Sequence, residues 1–261
     1  MKHGLINQHL FELKNCSKPS RSFFLIGHRC NDIATINKAF IQKVNAIECD
    51  LWADRGKKWW ISHGGWKKTE LLQWLTYIGE AEQKFGRQLE LIVFDIKTPE
   101  PIKGVRDTIR KILRHDLRVV YSTAKIRKAH IFTDIVPLLT EHEVIAIDEE
   151  DNPKEVAAFF KKIGATQCWY GNGITLLPFD DQFHGSMKEA SLLKNSTGPF
   201  SRVYTWSIHR TRSLYKYIVE DKVDAMIVGL DGFLTKPVST AIKIICDCED
   251  VELADRNSKL H

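Results

Sequence analysis

Long apolar runs, blocks of like charge and paired cysteines are all missing from this 261-residue chain, and each absence removes a class of protein. No stretch approaches the roughly 20 apolar residues of a membrane span. The first 22 residues hold no apolar segment of the length that a cleavable secretory signal needs. The expectation is a chain without a transmembrane segment, cytoplasmic by default, with secretion or injection by a non-classical route equally compatible. No run of five or more like charges occurs, and the formal net charge is only +5, which leaves no nucleic-acid tail. The six cysteines, Cys16, Cys30, Cys49, Cys168, Cys246 and Cys248, form neither the CxxC pairs of a zinc site nor a dense disulfide framework. They read as mostly reduced thiols.

Internal repeats and Pro/Gly-rich linkers are absent too, so residues 1–261 read as one domain. With 43% hydrophobic residues the chain can bury one large core, and a single α/β barrel commonly takes roughly 250 residues. Eight short runs rich in β-branched and aromatic residues read as strands: 23–27, 46–51, 89–96, 118–122, 144–147, 166–169, 203–207 and 225–228. Segments of helical periodicity lie between them at 33–44, 69–84, 102–114, 153–163, 211–220 and 238–245. Alternation of strand and helix predicts a parallel sheet, and eight units predict its closure into a TIM (β/α)8 barrel with the site at the C-terminal strand ends. One exception is 57–62, which reads as the return strand of a hairpin turning at Arg55-Gly56. The core is expected over about 22–245, with a packed arm at 1–21 and a frayed tail at 247–261.

Side chains ending the strands of a barrel converge on one face. Here they are His28, Glu48 with Asp50, Asp95 with Lys97, Asp148, the segment from Trp169 to Asn172, and Trp206 with Ser207. Glu48 and Asp50 are two apart in a strand and project to the same side, within reach of Asp95 on the next strand. Three carboxylates so placed repel one another unless a cation lies between them. An all-oxygen set, completed by water and substrate phosphate, favours Mg2+ over zinc. Ordinary ion pairs with Arg29 or Lys97 are the alternative. His28 and His63 would flank a phosphodiester, one removing a proton or attacking and the other protonating the leaving oxygen. Lys97, on the same side of its strand as Asp95, would offset charge on the phosphoryl oxygens.

These residues carry a resemblance. Gly27-His28, Ile47-Glu48-Cys49-Asp50, His63-Gly64, Phe94-Asp95-Ile96-Lys97-Thr98, Trp169-Tyr170-Gly171-Asn172-Gly173-Ile174-Thr175 and Val203-Tyr204-Thr205-Trp206-Ser207 occur in this order. The set, extending to Val223-Asp224-Ala225-Met226, resembles the sphingomyelinase D / phospholipase D toxins of spiders and some bacteria and fungi, relatives of the glycerophosphodiester phosphodiesterases. The resemblance covers roughly residues 22–245. It implies a TIM barrel with one magnesium held by Glu48, Asp50 and Asp95, with His28 and His63 as the acid/base pair. Lys97, Trp169, Asn172 and Trp206 would bind substrate. It further implies removal of a choline-type head group from sphingomyelin or lysophospholipids by attack of the substrate's own hydroxyl, giving a cyclic phosphate.

The chain departs from the family pattern in three places. Asn172 stands where an aspartate is usual, Val228-Gly229-Leu230-Asp231 replaces a Thr-Asn-x-Pro element, and no cysteine follows His63 as far as Leu75. The general glycerophosphodiesterase pattern would instead place a glutamate shortly after the first histidine and another at the third strand, where this chain has Asp32 and Asp95, in keeping with the toxin-like branch. Two other functions stay open: hydrolysis of a small soluble glycerophosphodiester, and binding of lipid or phosphate without turnover. Five of the seven tryptophans lie between Trp52 and Trp74. Trp66 with Lys67 and Lys68 is a candidate for peripheral membrane contact, in a chain expected to be a monomer acting on phospholipid or lysophospholipid.

Overall fold

The computed structural model describes residues 21–64, 68–150, 152–173, 182–196, 198–230 and 236–260. Eight of its strands close into a parallel barrel. They are β1 (Arg21–Gly27), β2 (Ala46–Ala53), β5 (Leu91–Ile96), β6 (Arg118–Thr123), β7 (Glu143–Ile147), β8 (Cys168–Gly173), β9 (Phe200–Ile208) and β10 (Ala225–Val228). Each pairs with its successor in that series, and β10 and β2 both pair with β1, which completes the ring. After β2 the chain turns back through β3 (Trp59–Ile61), antiparallel to β2 with Leu51 opposite Ile61, and then β4 (Thr69–Glu70). The hairpin expected from Arg55-Gly56 is therefore present, and it returns the chain to the barrel mouth at His63.

Among the described residues seven α-helices cover the outside: α1 (Ile33–Ile41), α2 (Leu71–Phe85), α3 (Lys103–Ile112), α4 (Pro153–Lys162), α5 (His184–Asn195), α6 (Thr211–Tyr215) and α7 (Pro237–Asp247). Their buried stripes pack on the outward strand residues, as where Trp74 of α2 meets Phe94 of β5 at a ring-centroid distance of 5.6 Å. Asp32 starts α1 as its N-cap, accepting from Thr35 N at 2.9 Å. It takes no part in the constellation. Between β6 and β7, where the sequence shows no segment of helical periodicity, the chain forms 3₁₀ turns at Ile126–Phe132 and Val136–Leu138.

Strand side chains alternate with period two. The inward set includes Phe24, Ile26, Ala46, Leu91, Val93, Val120, Val144, Ala146, Trp169, Tyr204, Ala225 and Ile227. The barrel is thus filled rather than open, as closure of eight strands requires. Gly171 serves this packing, because a Cβ there would lie 2.7 Å from the Tyr204 ring and 2.8 Å from the Asp148 Cβ. Its absence lets the Tyr204 hydroxyl donate to Asp148 Oδ2 at 2.8 Å.

The tail differs from the expected frayed end. β11 (Val251–Leu253) adds to the start of β1, and Ala254 and Leu260 join the inner barrel cluster, buried at 4% and 2% exposure. The guanidinium groups of Arg118 and Arg202 donate to the carbonyls of Arg256, Ser258 and Lys259. Polar residues at 255–259 concealed this from the sequence pattern, since what docks is mainly backbone. The arm at 1–20 lies outside the described residues.

Deleting residues 254–261 uncovers the base of the barrel core. The truncated chain is expected to lose at least about 3 kcal/mol of unfolding free energy in urea denaturation, and an unchanged midpoint would show the tail to be peripheral.

Candidate active site

The inward faces of β2 and β5 change from apolar to acidic at their C-terminal ends. Ala46 is followed inward by Glu48 and Asp50, and Leu91 and Val93 by Asp95. The register sets Asp50 directly beside Asp95. One oxygen from each of Glu48, Asp50 and Asp95 lies within 4.8 Å of the others. Glu48 and Asp50 are 3% and 1% exposed. The acids called from the sequence as a metal set are therefore gathered at one point.

Burial, followed by the charges of Asp50 and Asp95, holds the Glu48 carboxyl well above the ordinary glutamate range. Burial also raises Asp95, against the pull of Lys97. Asp50 goes the other way: burial opposes its charge, yet the Lys97 ammonium and the Asn31 amide outweigh it. Lys97 Nζ lies 2.9 Å from Asp50 Oδ1 and also bonds Asp95. Burial works against the ammonium, but Asp95, Asp50 and Glu48 together raise its pKa.

One ammonium does not balance three carboxylates. Asp95 Oδ1 is buried without a hydrogen-bond partner among the described residues, which is where a further cation would find a free ligand oxygen. The donor set is all oxygen, so the residues fit a hard divalent cation.

The histidines stand at two sides of this group. His28 follows β1, and its Nδ1 contacts Ser207 Oγ at 3.1 Å, leaving Nε2 toward Glu48 Oε2 at 4.0 Å. Burial, reinforced by the neighbouring Arg29 cation, pushes the His28 imidazole down to about 3, so the ring is neutral at pH 7. His63, at the end of the hairpin and half exposed, places Nδ1 3.3 Å from Asp50 Oδ1. That contact leaves its Nε2 for proton transfer.

Three supporting features were not read from the sequence. Asn31 donates Nδ2 to Asp50 Oδ2 at 2.8 Å and accepts from Asp50 N at 2.9 Å. Arg29 takes a left-handed backbone, φ 53°, and its N–H donates to Glu48 Oε2 at 2.8 Å. Asp148, noted only as a strand end, lines the same cavity, and burial with the nearby Asp95 charge pushes it up to about 7. The proximity of Arg29 and Asn31 to His28 in the chain was the available signal.

The cavity holds about 200 Å³ and is bounded by both histidines, the three acids, Lys97, Asp148, Glu149 and Trp206. Trp206 donates Nε1 to the Asp148 carbonyl at 2.8 Å. Two substrate-binding expectations require correction. Trp169 was placed at the end of its strand, but β8 begins at Cys168, so Trp169 sits near the base of the barrel. It is fully buried there, donating Nε1 to the Leu260 carbonyl at 3.2 Å. Asn172 is at the correct end but 1% exposed, and its amide donates to the Glu150 carbonyl at 3.2 Å. It braces the rim from behind and does not line the cavity. Trp66, Lys67, Ile174, Thr175 and Asp231 lie outside the described residues.

A filled eight-stranded barrel with a carboxylate triad, two histidines and a lysine at its C-terminal mouth defines the class of barrel phosphodiesterases. Solved structures agree on the fold. A glycerophosphodiester phosphodiesterase from Parabacteroides distasonis superposes with a TM-score of 0.60 at 16% identity, covering 88% of this chain and 99% of that one. A phosphodiesterase from Oleispira antarctica, in complex with sn-glycerol-3-phosphate, gives 0.61 at 11% identity, covering 86% and 97%. The profile described as Sphingomyelinase D/Phospholipase D matches residues 18–243, and the chain belongs to that family of phosphodiester-cleaving enzymes. Among curated relatives, a sphingomyelinase D of Paracoccidioides brasiliensis is 26% identical over 257 residues, covering 81% of this chain and 76% of the relative. A dermonecrotic toxin of Loxosceles sabina is 24% identical over 250 residues, covering 81% and 88%.

The raised Glu48 pKa has a defined sign. Without a divalent cation, its contribution is neutral below the unfolded glutamate value of about 4.3 and becomes destabilising as pH rises toward the folded value. Glu48→Gln is therefore expected to be more stable than the parent above about pH 5 in chelator, and to bind Mn2+ at least about 10-fold more weakly by paramagnetic relaxation titration. Equal pH–stability curves would contradict the assignment.

Proposed function

We propose that the chain is a magnesium-dependent phospholipase D of the sphingomyelinase D type, cleaving the head-group phosphodiester of a sphingolipid or lysophospholipid. The observation that carries this is the position of two histidines on different members of one carboxylate group, His28 beside Glu48 and His63 beside Asp50. Glu48, Asp50 and Asp95 would hold the magnesium, which supplies Lewis-acid stabilisation of charge on the phosphoryl oxygens.

The chain's own residues supply the rest. The substrate's neighbouring hydroxyl attacks phosphorus, the bond to the head-group oxygen breaks, and a cyclic phosphate and a head-group alcohol result. One histidine takes the hydroxyl proton and the other gives a proton to the departing oxygen. Ser207 orients His28 through Nδ1, and Asp50 orients His63 in the same way. Lys97 carries positive charge throughout, because three carboxylates keep it protonated. The Trp206 ring, with Asp148 and Glu149 beside it, supports binding of a cationic head group by ring-face and carboxylate attraction.

The hairpin gives this site a rim suited to peripheral membrane contact. Lys58 Nζ lies 4.7 Å over the Trp60 ring, and Lys68 Nζ lies 4.2 Å over Trp52 and 5.9 Å from Trp60. Aromatic and ammonium groups together favour the lipid interfacial zone. Among the described residues no helix is long and apolar enough to cross a membrane.

Phosphorus NMR of the products from lysophospholipid is expected to show a cyclic phosphate that requires magnesium and is suppressed by chelator. Glycerol phosphate from glycerophosphocholine would instead establish soluble-diester hydrolysis. His28→Ala and His63→Ala are each expected to lower kcat by about 10²–10⁴-fold; wild-type turnover in either would sink the catalytic assignment. Trp206→Ala is expected to raise KM about 5- to 10-fold, whereas Trp169→Phe leaves KM within about twofold and lowers the melting temperature.

A further inference from the structure

Three arginines among the described residues are buried: Arg106, Arg118 and Arg202. Two of them meet a carboxylate, Arg106 with Glu143 at 2.6 Å and Arg118 with Glu90 at 3.2 Å. Arg202 is the exception. At 8% exposure it donates Nη1 to the Ser22 carbonyl at 2.8 Å, Nη2 to Ser22 Oγ at 2.8 Å, and Nη2 again to the Lys259 carbonyl. All three acceptors are neutral, and no carboxylate among the described residues forms an ion pair with it. The nearest acidic influence, Asp224, is already held by Lys194 at 2.8 Å through both oxygens and by Val203 N at 2.8 Å. A buried guanidinium left in this state is expensive, and burial accordingly lowers its pKa.

Arg202 forms part of the wall of a cavity of about 450 Å³. Arg21, Lys194, Lys222 and Lys259 also line it, against only Asp224 and Asp250. Arg21 repeats the pattern of Arg202, with its Nη groups on the carbonyls of Val223 and Ile218 and its pKa lowered by burial. Five cations thus surround a polar space with two carboxylates, and one of the five, Lys194, is paired with Asp224. The cavity lies where β1 and β9 begin, at the end of the barrel opposite His28 and Trp206. Lys222 is held there with φ 54° in the left-handed region.

We infer that this cavity is an anion site for a soluble phosphate-type dianion, inorganic phosphate or a small phosphomonoester, separate from the catalytic centre. Guanidinium and ammonium groups converging from several elements match a tetrahedral anion with several acceptor oxygens. The choice of a soluble over a membrane-borne phosphate rests on the lipid reading above: when the mouth faces a bilayer, the opposite end faces away from it. The site itself does not depend on that reading.

The test is thermal unfolding of the full chain with magnesium present, titrated with inorganic phosphate against chloride at matched ionic strength. Phosphate is expected to raise the melting temperature in a saturable way, and chloride is not. Lys222 and Lys259 are exposed, so the double variant Lys222→Glu, Lys259→Glu is expected to fold and to keep wild-type turnover in phosphate-free buffer. Its phosphate midpoint should move at least about 10-fold higher. No shift in the parent chain, or an unchanged midpoint in the double variant, would overturn the site. Vesicles containing phosphatidic acid form a second arm: tighter binding to these than to inorganic phosphate, lost in the double variant, would overturn the soluble assignment. None of these outcomes changes whether lysophospholipid yields a cyclic phosphate, so the two readings fail separately.

Discussion

The register between β2 and β5, which places Asp50 beside Asp95, is the constraint on which the site depends. Period-two alternation brings Glu48 to the same inward face, and a slip of one residue would turn Glu48 and Asp50 outward into the helix layer. The apolar residues below them, Ala46, Leu91 and Val93, are buried in the barrel centre, so the hydrophobic effect that sets the register also positions the acids. Acidic repulsion is the consequence, and Lys97, Asn31 and the Arg29 backbone N–H are the groups that relieve part of it. The rest is left for a cation, as the unpartnered Asp95 Oδ1 indicates.

The two ends of the barrel use charge differently. At the C-terminal mouth, carboxylates outnumber cations around the cavity of about 200 Å³. At the base, Arg118, Arg202 and Arg21 hold backbone carbonyls, and the C-terminal tail closes over Phe24, Trp169 and Tyr204. Arg118 and Arg202 lie 6.0 and 5.1 Å from the Phe24 ring centroid, so the seal combines cation–π contact with carbonyl bonding. A filled interior separates the ends, which is why a basic base and an acidic mouth coexist within one domain.

The sequence pattern revealed much of this. Eight apolar runs correspond to the eight barrel strands, and the hairpin carrying His63 followed from one Arg-Gly turn and its flanking residues. The gathering of the three acids and both histidines was legible because titratable groups at the ends of apolar runs have few packing roles. Trp169 was misplaced because an apolar run does not mark which of its residues begins pairing; β8 starts later and runs on through Gly171, a residue that strand propensity disfavours. The tail was misread because its docking uses carbonyls, and carbonyls are the same in every sequence. Asn31 escaped notice since a polar residue in a loop carries no periodic signal.

The chain's order of residues by itself determined the barrel, the inward face of each strand and the identity of the acids, histidines and lysine, because these follow from periodicities of two and 3.6 and from residue chemistry. Only the tertiary structure decided which of those groups meet. The closeness of His28 to Ser207, the two bonds between Asn31 and Asp50, the burial that keeps His28 neutral and the bonds from Arg202 to Ser22 and Lys259 at the base all join residues or environments that no local pattern links. Such contacts arise when barrel closure brings distant strand ends together, and distance in space has no counterpart in spacing along the chain.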